Sequence, residues 1–232
     1  MNYNKRASVA VIMPCYNEGK RILPVVKEVK KSNLVSEILI VDDGSEKSTK
    51  QILKKISGVR LISHLKNQGK SQAMKTGVLS AKSDIVVFVD TDLSGFKGHY
   101  IDDLVIPIIN RELDLVLGDR EKEFKLFKLV GLSVILTGER AIKTDLLLKN
   151  IKIFDHGGYL AEAAMNSIFF RKGRVGRVFM KGVGQVFKYK KYGLIGLYYD
   201  LFFFVRVIKT VGLRELIMQT NFIRGIRRIN YI

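Results

Sequence analysis

Residues 85–92, Ile-Val-Val-Phe-Val-Asp-Thr-Asp, carry the chemistry this chain offers most plainly. Five apolar residues, mostly β-branched, read as a short strand covered on both faces, and the run ends in two carboxylates one residue apart, Asp90 and Asp92. In an open parallel sheet, ligands bind just beyond the carboxyl ends of such strands. Hard divalent cations such as Mg or Mn take oxygen ligands, often one or two carboxylates together with substrate phosphates. Taken alone, an Asp-x-Asp pair also serves to shape a turn or cap the next helix. Three further groups fall at equivalent places in the chain. Pro14-Cys15-Tyr16-Asn17-Glu18 closes a strand over 8–13, and Asp42-Asp43-Gly44-Ser45 closes one over 37–41. Asn67-Gln68-Gly69-Lys70 opens a helix, where free backbone N–H groups and an ammonium can receive phosphate oxygens. Acids for a cation and a helix start for phosphates together describe a nucleoside-diphosphate site.

The elements that must position these groups follow from periodicity. A helix is predicted over 21–31, with Ile22, Val25, Val26 and Val29 on one face, and another ends at Ile56 after a cap at Ser45 or Ser48. A third strand over 59–63, a helix over 70–81 and the central strand complete a β-α-β-α-β-α-β alternation. That order predicts a mostly parallel sheet with helices on both faces. Beyond Asp92 the rhythm loosens. A helix over 100–110 contains Pro107, a strand covers 113–118, and the charged stretch 121–127 is expected as a mobile loop. The run 129–136 is apolar, a glycine turn leads into a helix within 157–170, and a late strand covers 177–183.

The chain of 232 residues suits one domain, and 47% hydrophobic residues suit a folded core. The lone Cys15 rules out an intrachain disulfide and a cysteine-based metal cluster, and fits a reducing cytoplasm. Residues 1–8 are polar and show no N-terminal signal. The net charge of +18 calls for an anionic partner. From Arg171 onward, 14 Lys and Arg face only Asp200 and Glu215, so the last quarter holds two thirds of the excess. Residues 193–209 are strongly apolar, but Asp200, Arg206 and Lys209 interrupt them before a spanning length of about 20 residues is reached. Aromatic and aliphatic residues beside basic ones suit a helix lying in a membrane interface; a core helix docked on the sheet is the other reading.

Four stretches together resemble the family 2 glycosyltransferases of GT-A fold: Met13-Pro14-Cys15-Tyr16-Asn17-Glu18, Val41-Asp42-Asp43-Gly44-Ser45, Asn67-Gln68-Gly69-Lys70 with Ala73 and Gly77, and Val89-Asp90-Thr91-Asp92. The resemblance covers about residues 8–120. It implies an α/β fold, a Rossmann-like, mostly parallel central sheet. Pro14, Tyr16 and Glu18 would line the nucleotide pocket, Asp43 would touch the base or ribose, and Lys70 the base edge or diphosphate. Asp90 would hold the ribose or sugar end, with Asp90 and Asp92 as the acids available to a Mg or Mn ion and Asp92 as its principal ligand. For Tyr16, Asp42 and Lys70 the structural alternatives are packing, turn capping and a solvated helix start.

In the second half, Gly158-Tyr159-Leu160-Ala161-Glu162 resembles the helix start of small polyprenyl-phosphate glycosyltransferases, which would place Glu162 near the acceptor as a base or an orienting group. A helix-start acid favoured by the dipole is the plain alternative. Thr137-Gly138-Glu139-Arg140 resembles an acceptor-side word of some relatives, with Arg140 pairing an anion or forming a surface salt bridge. Relatives often carry a His where this chain has Gln185; Lys188, Lys190 and Lys191 keep the basic context, and His156 is another candidate nitrogen. The implied organisation is a catalytic domain over 1–191, with a nucleotide-sugar half over 1–120 and an acceptor half over 121–191, followed by a basic helical appendage over 192–232. The implied activity is metal-dependent transfer from a nucleoside diphosphate sugar, UDP- or GDP-linked, to a polyprenyl phosphate or other lipid-linked or glycan acceptor. The enzyme would be cytoplasmic and peripheral on the inner face of an anionic membrane. A nucleotidyltransferase on a similar sheet is the alternative, although it would show a glycine-rich loop where this chain has Pro-Cys-Tyr-Asn-Glu. A nucleic-acid-binding module answers to the charge alone and leaves the strand-end acids unexplained, so nucleic acid is not an expected partner.

Overall fold

The computed structural model describes residues 7–122, 132–156, 160–185, 205, 208–209, 212–226 and 228–229. The expectations for 123–131, for the glycine turn at 157–159, for Lys188, Lys190 and Lys191, and for most of 193–209 lie outside the described residues.

Among the described residues, nine strands form one sheet in the order β3-β2-β1-β4-β7-β6-β8-β5, with β9 beside β8. The first four strands, β1 (Val9–Cys15), β2 (Val35–Asp42), β3 (Arg60–Ser63) and β4 (Ile85–Phe88), pair in parallel as the alternation predicts. Side chains of β1 alternate between two cores. Val9, Val11 and Met13 pack under α1 (Ile22–Val29) and α4 (His99–Ile109), while Ala10 and Ile12 pack under α3 (Lys70–Ser80). All five are fully buried, each large one worth roughly 1.5–3 kcal/mol of burial. Gly77 of α3 lets that helix settle on Ile12, whose methyl a Cβ would overlap.

Several boundaries differ from the sequence reading. The helix α2 (Lys47–Leu53) is shorter than expected and has no side-chain cap. Ser45 does not cap it: its hydroxyl accepts the Asn17 N–H at 3.0 Å, because tying the two strand-end loops together satisfies that donor. Pro107 sits inside α4, two residues before its end. In the second half the parallel pattern breaks. After β5 (Leu93–Ser94) and β6 (Leu115–Lys122), a short helix α5 (Leu132–Ile135) leads to β7 (Arg140–Lys143), which lies antiparallel to both β4 and β6. The helices α6 (Thr144–Lys149) and α7 (Leu160–Lys172) follow, then β8 (Val175–Gln185), parallel to β6. Residues 121–122, expected in a loop, extend β6.

The described part of 192–232 shares this core. In α8 (Leu213–Gly225), Leu216, Gln219 and Ile223 are buried, and β9 (Arg228–Ile229) pairs in parallel with β8. Gln219 donates to the Ala163 carbonyl of α7 at 3.2 Å and accepts from Asn166 at 3.4 Å.

Asp114, just before β6, ties that strand to its neighbours through Arg174 and Lys143, each at 3.2 Å. Hydrogen bonds from Arg174, more than any other contact, hold its carboxyl well below the usual range, at about 2. A depressed folded value contributes stability above the unfolded value near 4, and that stability is lost as pH falls through about 2. Asp114→Asn is therefore expected to lower the melting temperature at pH 7 and to leave it nearly unchanged at pH 2. Equal losses at both values would show that the carboxylate charge is not what matters.

Candidate active site

The carboxyl ends of β1, β2 and β4 share one edge of the sheet, where Cys15 stands opposite Asp42 and Ile12 opposite Phe88. Asp42 turns its Oδ1 to the Ser45 N–H at 3.0 Å and shapes the loop, as one of its expected readings had it. Asp43 reaches across to the start of α3. Its carboxylate accepts the Gln68 N–H at 2.9 Å and the Gly69 N–H at 2.8 Å, with His64 Nδ1 at 2.7 Å. His64 in turn meets the Thr76 hydroxyl through Nε2 at 2.9 Å. Both Asp43 oxygens thus tie down the loop that launches α3, directly before Lys70. Gly44, at φ +73°, makes this approach possible, since a Cβ there would stand 2.6 Å from the Asn67 nitrogen.

Lys70 lies at the centre of a buried charge cluster. Its Nζ is 2.6 Å from Asp90 Oδ1 and 3.0 Å from Glu162 Oε1, so the first turn of α3, the end of β4 and the start of α7 meet at one ammonium. The other Asp90 oxygen faces Arg120 at 3.8 Å, and Arg120 lies 3.4 Å from Glu139. Glu139 accepts the Thr137 hydroxyl at 2.9 Å and the Asp90 N–H at 3.4 Å. Gly138 permits the contact: a Cβ on it would fall 2.5 Å from the Asp90 carboxyl carbon. Burial pushes the Asp90 carboxyl up, but Lys70, Arg120 and Arg140 together outweigh it and leave its pKa lowered. Glu139 goes the other way, because burial and the neighbouring Asp90 exceed the help from Arg120. Glu162 is fully buried, and no hydrogen-bond donor among the described residues meets its Oε2.

The remaining expected residues fall in different places. Arg140 is not exposed to an acceptor: it is fully buried on β7, opposite Phe88. Its guanidinium donates to the carbonyls of Glu162, Ile135 and Thr137 and to Asn166 Oδ1. Burial lowers its pKa to about 10, still charged at neutral pH. The anion-pairing role is therefore replaced by one of clamping α5 and α7 to the sheet. Asp90 has Lys70 against one oxygen and Arg120 against the other. Asp92 is 7% exposed and directly precedes β5, whose Leu93 pairs with Gln185 of β8. The backbone thus brings the position where relatives carry His to the residue beside Asp92. Thr91 binds the Pro14 carbonyl at 3.3 Å, fixing the acid turn to β1. Tyr16, half exposed, stands at the rim, and Glu18 is paired with Arg21 at 2.7 Å. Asn17 takes the left-handed conformation, φ 55°, which Asn tolerates better than most residues, and accepts the Glu46 N–H. Cys15 is a neutral thiol, pushed up to about 12 chiefly by burial. Among the described residues no three His, Cys, Asp or Glu side chains form a metal cluster. His64 and Arg120 join this cluster and were not singled out from sequence, whereas Glu139 stood inside the Thr137-Gly138-Glu139-Arg140 word.

Carboxylates and an ammonium gathered at strand ends around a helix start place this chain among the open α/β proteins that take a ligand at the carboxyl edge of the sheet. The sequence model of glycosyl transferase family 2 matches residues 10–165. The chain belongs to that family. Among characterised relatives, it is 34% identical over 142 residues to the UDP-N-acetylglucosamine–dolichyl-phosphate N-acetylglucosaminyltransferase of Methanococcus voltae, covering 52% of this chain and 55% of that one. It is 31% identical over 129 residues to the dolichyl-phosphate β-glucosyltransferase of Dictyostelium discoideum, covering 48% and 39%. The chain thus spans about half or less of the length of these relatives. Among solved structures, glucosyl-3-phosphoglycerate synthase from Mycobacterium tuberculosis, in complex with Mn2+, UDP and phosphoglyceric acid, superposes with a TM-score of 0.69 at 20% identity, covering 95% of this chain and 80% of that one. This likeness establishes the GT-A fold. No helix among the described residues is long and apolar enough to cross a membrane.

Proposed function

We propose that the protein transfers a glycosyl unit from a nucleoside diphosphate sugar to a lipid-linked phosphate acceptor, with a divalent cation at Asp92. The observation that carries this reading is the Lys70 ammonium, held by Asp90 and Glu162 where the start of α3 meets the end of β4. Such a place suits a diphosphate, which gains from an ammonium and from the first N–H groups of a helix. The donor set also fits Mg or Mn. One carboxylate, substrate phosphates and water suffice for these ions, and no dedicated protein cage is required. When bound, the cation neutralises negative charge on the diphosphate leaving group.

The protein's own groups do the rest. Asp43 holds the α3 start so that Lys70 reaches the diphosphate oxygens, and Asp90, kept ionised by Lys70 and Arg120, receives sugar or ribose hydroxyls. Pro14, Tyr16 and Glu18 border the base side. Glu162, with an oxygen open to a new donor, orients the acceptor. The phosphate acceptor is supported by the basic C-terminal quarter and by the dolichyl-phosphate relatives. It is already an anion, so it needs little deprotonation.

The test is product analysis with a panel of UDP- and GDP-sugars and Mn2+, with polyprenyl phosphate or phosphoglycerate as acceptor. Glycosyl polyprenyl phosphate should form, chelation should stop it, and Asp92→Asn should slow it about 100-fold or more with melting unchanged. Turnover unaffected by Asp92→Asn would remove the metal role. Transfer only to phosphoglycerate would remove the lipid acceptor.

A further inference from the structure

The helix α8 is fixed firmly on one side and exposed on the other, where Phe222 also stacks on Phe170 of α7 with ring centres 4.6 Å apart. Leu216, Gln219 and Ile223 face inward, and Gln219 fastens the helix to α7 at Ala163, Asn166 and Ser167. Its outer side exposes Leu213 (59%), Ile217 (52%), Met218 (45%) and Phe222 (36%), with Arg214 and Arg224 also exposed among them. Four large apolar side chains on one 13-residue helix is more than scattered surface residues explain. The only acid of α8, Glu215, is turned to Arg171 at 3.0 Å and to Gln219 at 3.1 Å. The outer side therefore carries apolar and cationic groups and no free carboxylate. Arg171, Gly212, Arg214, Met218 and the Arg171-paired Glu215 border a hollow at its N-terminal end.

We infer that the outer side of α8 is the surface by which this protein lies on an anionic phospholipid bilayer, its apolar side chains entering the headgroup boundary and its arginines meeting lipid phosphates. A protein partner of ordinary composition would not select for a face free of acids, whereas an anionic leaflet does. Each basic residue near it contributes about 1 kcal/mol, and apolar side chains that insert add to that. The excess of basic residues across 171–232 supplies the longer-range attraction. The inference deepens the reading above and rests on it for the acceptor: α8 lies along α7, the helix that carries Glu162 at its first turn, so a docked α8 sets the acceptor side of the cleft against the membrane.

The chain contains no tryptophan, which permits a direct test. Ile217→Trp should show a blue-shifted emission with vesicles of phosphatidylcholine containing phosphatidylglycerol, and quenching by brominated lipid, and neither with phosphatidylcholine alone. Leu79→Trp, on an exposed position of α3, should show no shift with either. In co-sedimentation, Arg214→Gln/Arg224→Gln should weaken binding to the anionic vesicles about tenfold or more, while Lys54→Gln/Lys55→Gln, an equal loss of charge on another face, should weaken it far less. Equal shifts at both tryptophans, equal losses in the two charge variants, or no shift at position 217 would overturn the inference. A protein that binds no vesicles but glycosylates a soluble short-chain acceptor would sink this surface and leave the proposed function standing. Vesicle binding without transfer would do the reverse.

Discussion

Lys70→Met is expected to lower turnover about 10²–10³-fold and to cost about 3–5 kcal/mol of stability, the range for breaking one partner out of a buried ion pair. Two carboxylates depend on the ammonium. Without it, Asp90 keeps Arg120 at 3.8 Å and the more distant Arg140, and Glu162 loses the ammonium that reaches its side chain at 3.0 Å. For a domain of this size the loss corresponds to a fall in melting temperature of roughly 6–20 °C at pH 7. The pH dependence gives a separate signature. In the wild type the Asp90 value is depressed, so its contribution is present above the unfolded value and lost on acidification. In the variant the lowering by Lys70 is gone, so that contribution is smaller at neutral pH. The gap between wild type and variant should therefore narrow from pH 7 to pH 4. A gap of constant size, or a variant as active as wild type, would remove Lys70 from the centre of the site.

Gly138→Ala is expected to be nearly as damaging, although it adds one methyl group. That methyl would stand 2.5 Å from the carboxyl carbon of Asp90, a group held in place by Lys70 and Arg120. It cannot swing aside without giving up those partners. Either the 137–139 turn moves off, taking Glu139 from the Asp90 N–H, or Asp90 itself shifts. Overpacking of this kind costs about 1–3 kcal/mol and more where the neighbours are fixed, and the displacement should reduce turnover at least tenfold. Gly225→Ala is the control, because a Cβ there meets nothing within 4 Å. It should melt and turn over as the wild type does. Normal activity in Gly138→Ala would show that the turn tolerates movement and that the packing on Asp90 is incidental.

The first half of the site was legible because parallel strands announce themselves. Continuous apolar runs ending in Asp42-Asp43 and Asp90 place acids at one sheet edge, and Asn67-Gln68-Gly69 marks a helix start. Legible types did not disclose partners. Asp43 reads as a strand-end acid, but its contacts to two backbone N–H groups and His64 are fixed by where the 64–69 loop folds back. Arg120 and Glu139 come from distant stretches and meet Asp90 only because β7 runs antiparallel beside β4. Its four residues, Arg-Ala-Ile-Lys, are too few and too charged at their ends to show a strand period. The same strand explains Arg140. A charged residue beside a glycine looks exposed in sequence, but pairing with Phe88 turns it to the face that α7 covers, where carbonyl groups need a donor. The C-terminal amphipathic character was legible in composition, and among the described residues it shows on 213–225.

The antiparallel β7 carries an implication for assembly. Residues 140–143 return to cover the flank of Ile85–Phe88 more than fifty positions after that strand has been made. Until they do, one whole margin of it, bearing fully apolar Val86 and Val87, offers unpaired peptide groups to any passing chain. A fragment cut between the two strands would keep its four parallel strands and lose the shield, so self-association through that margin is its natural fate.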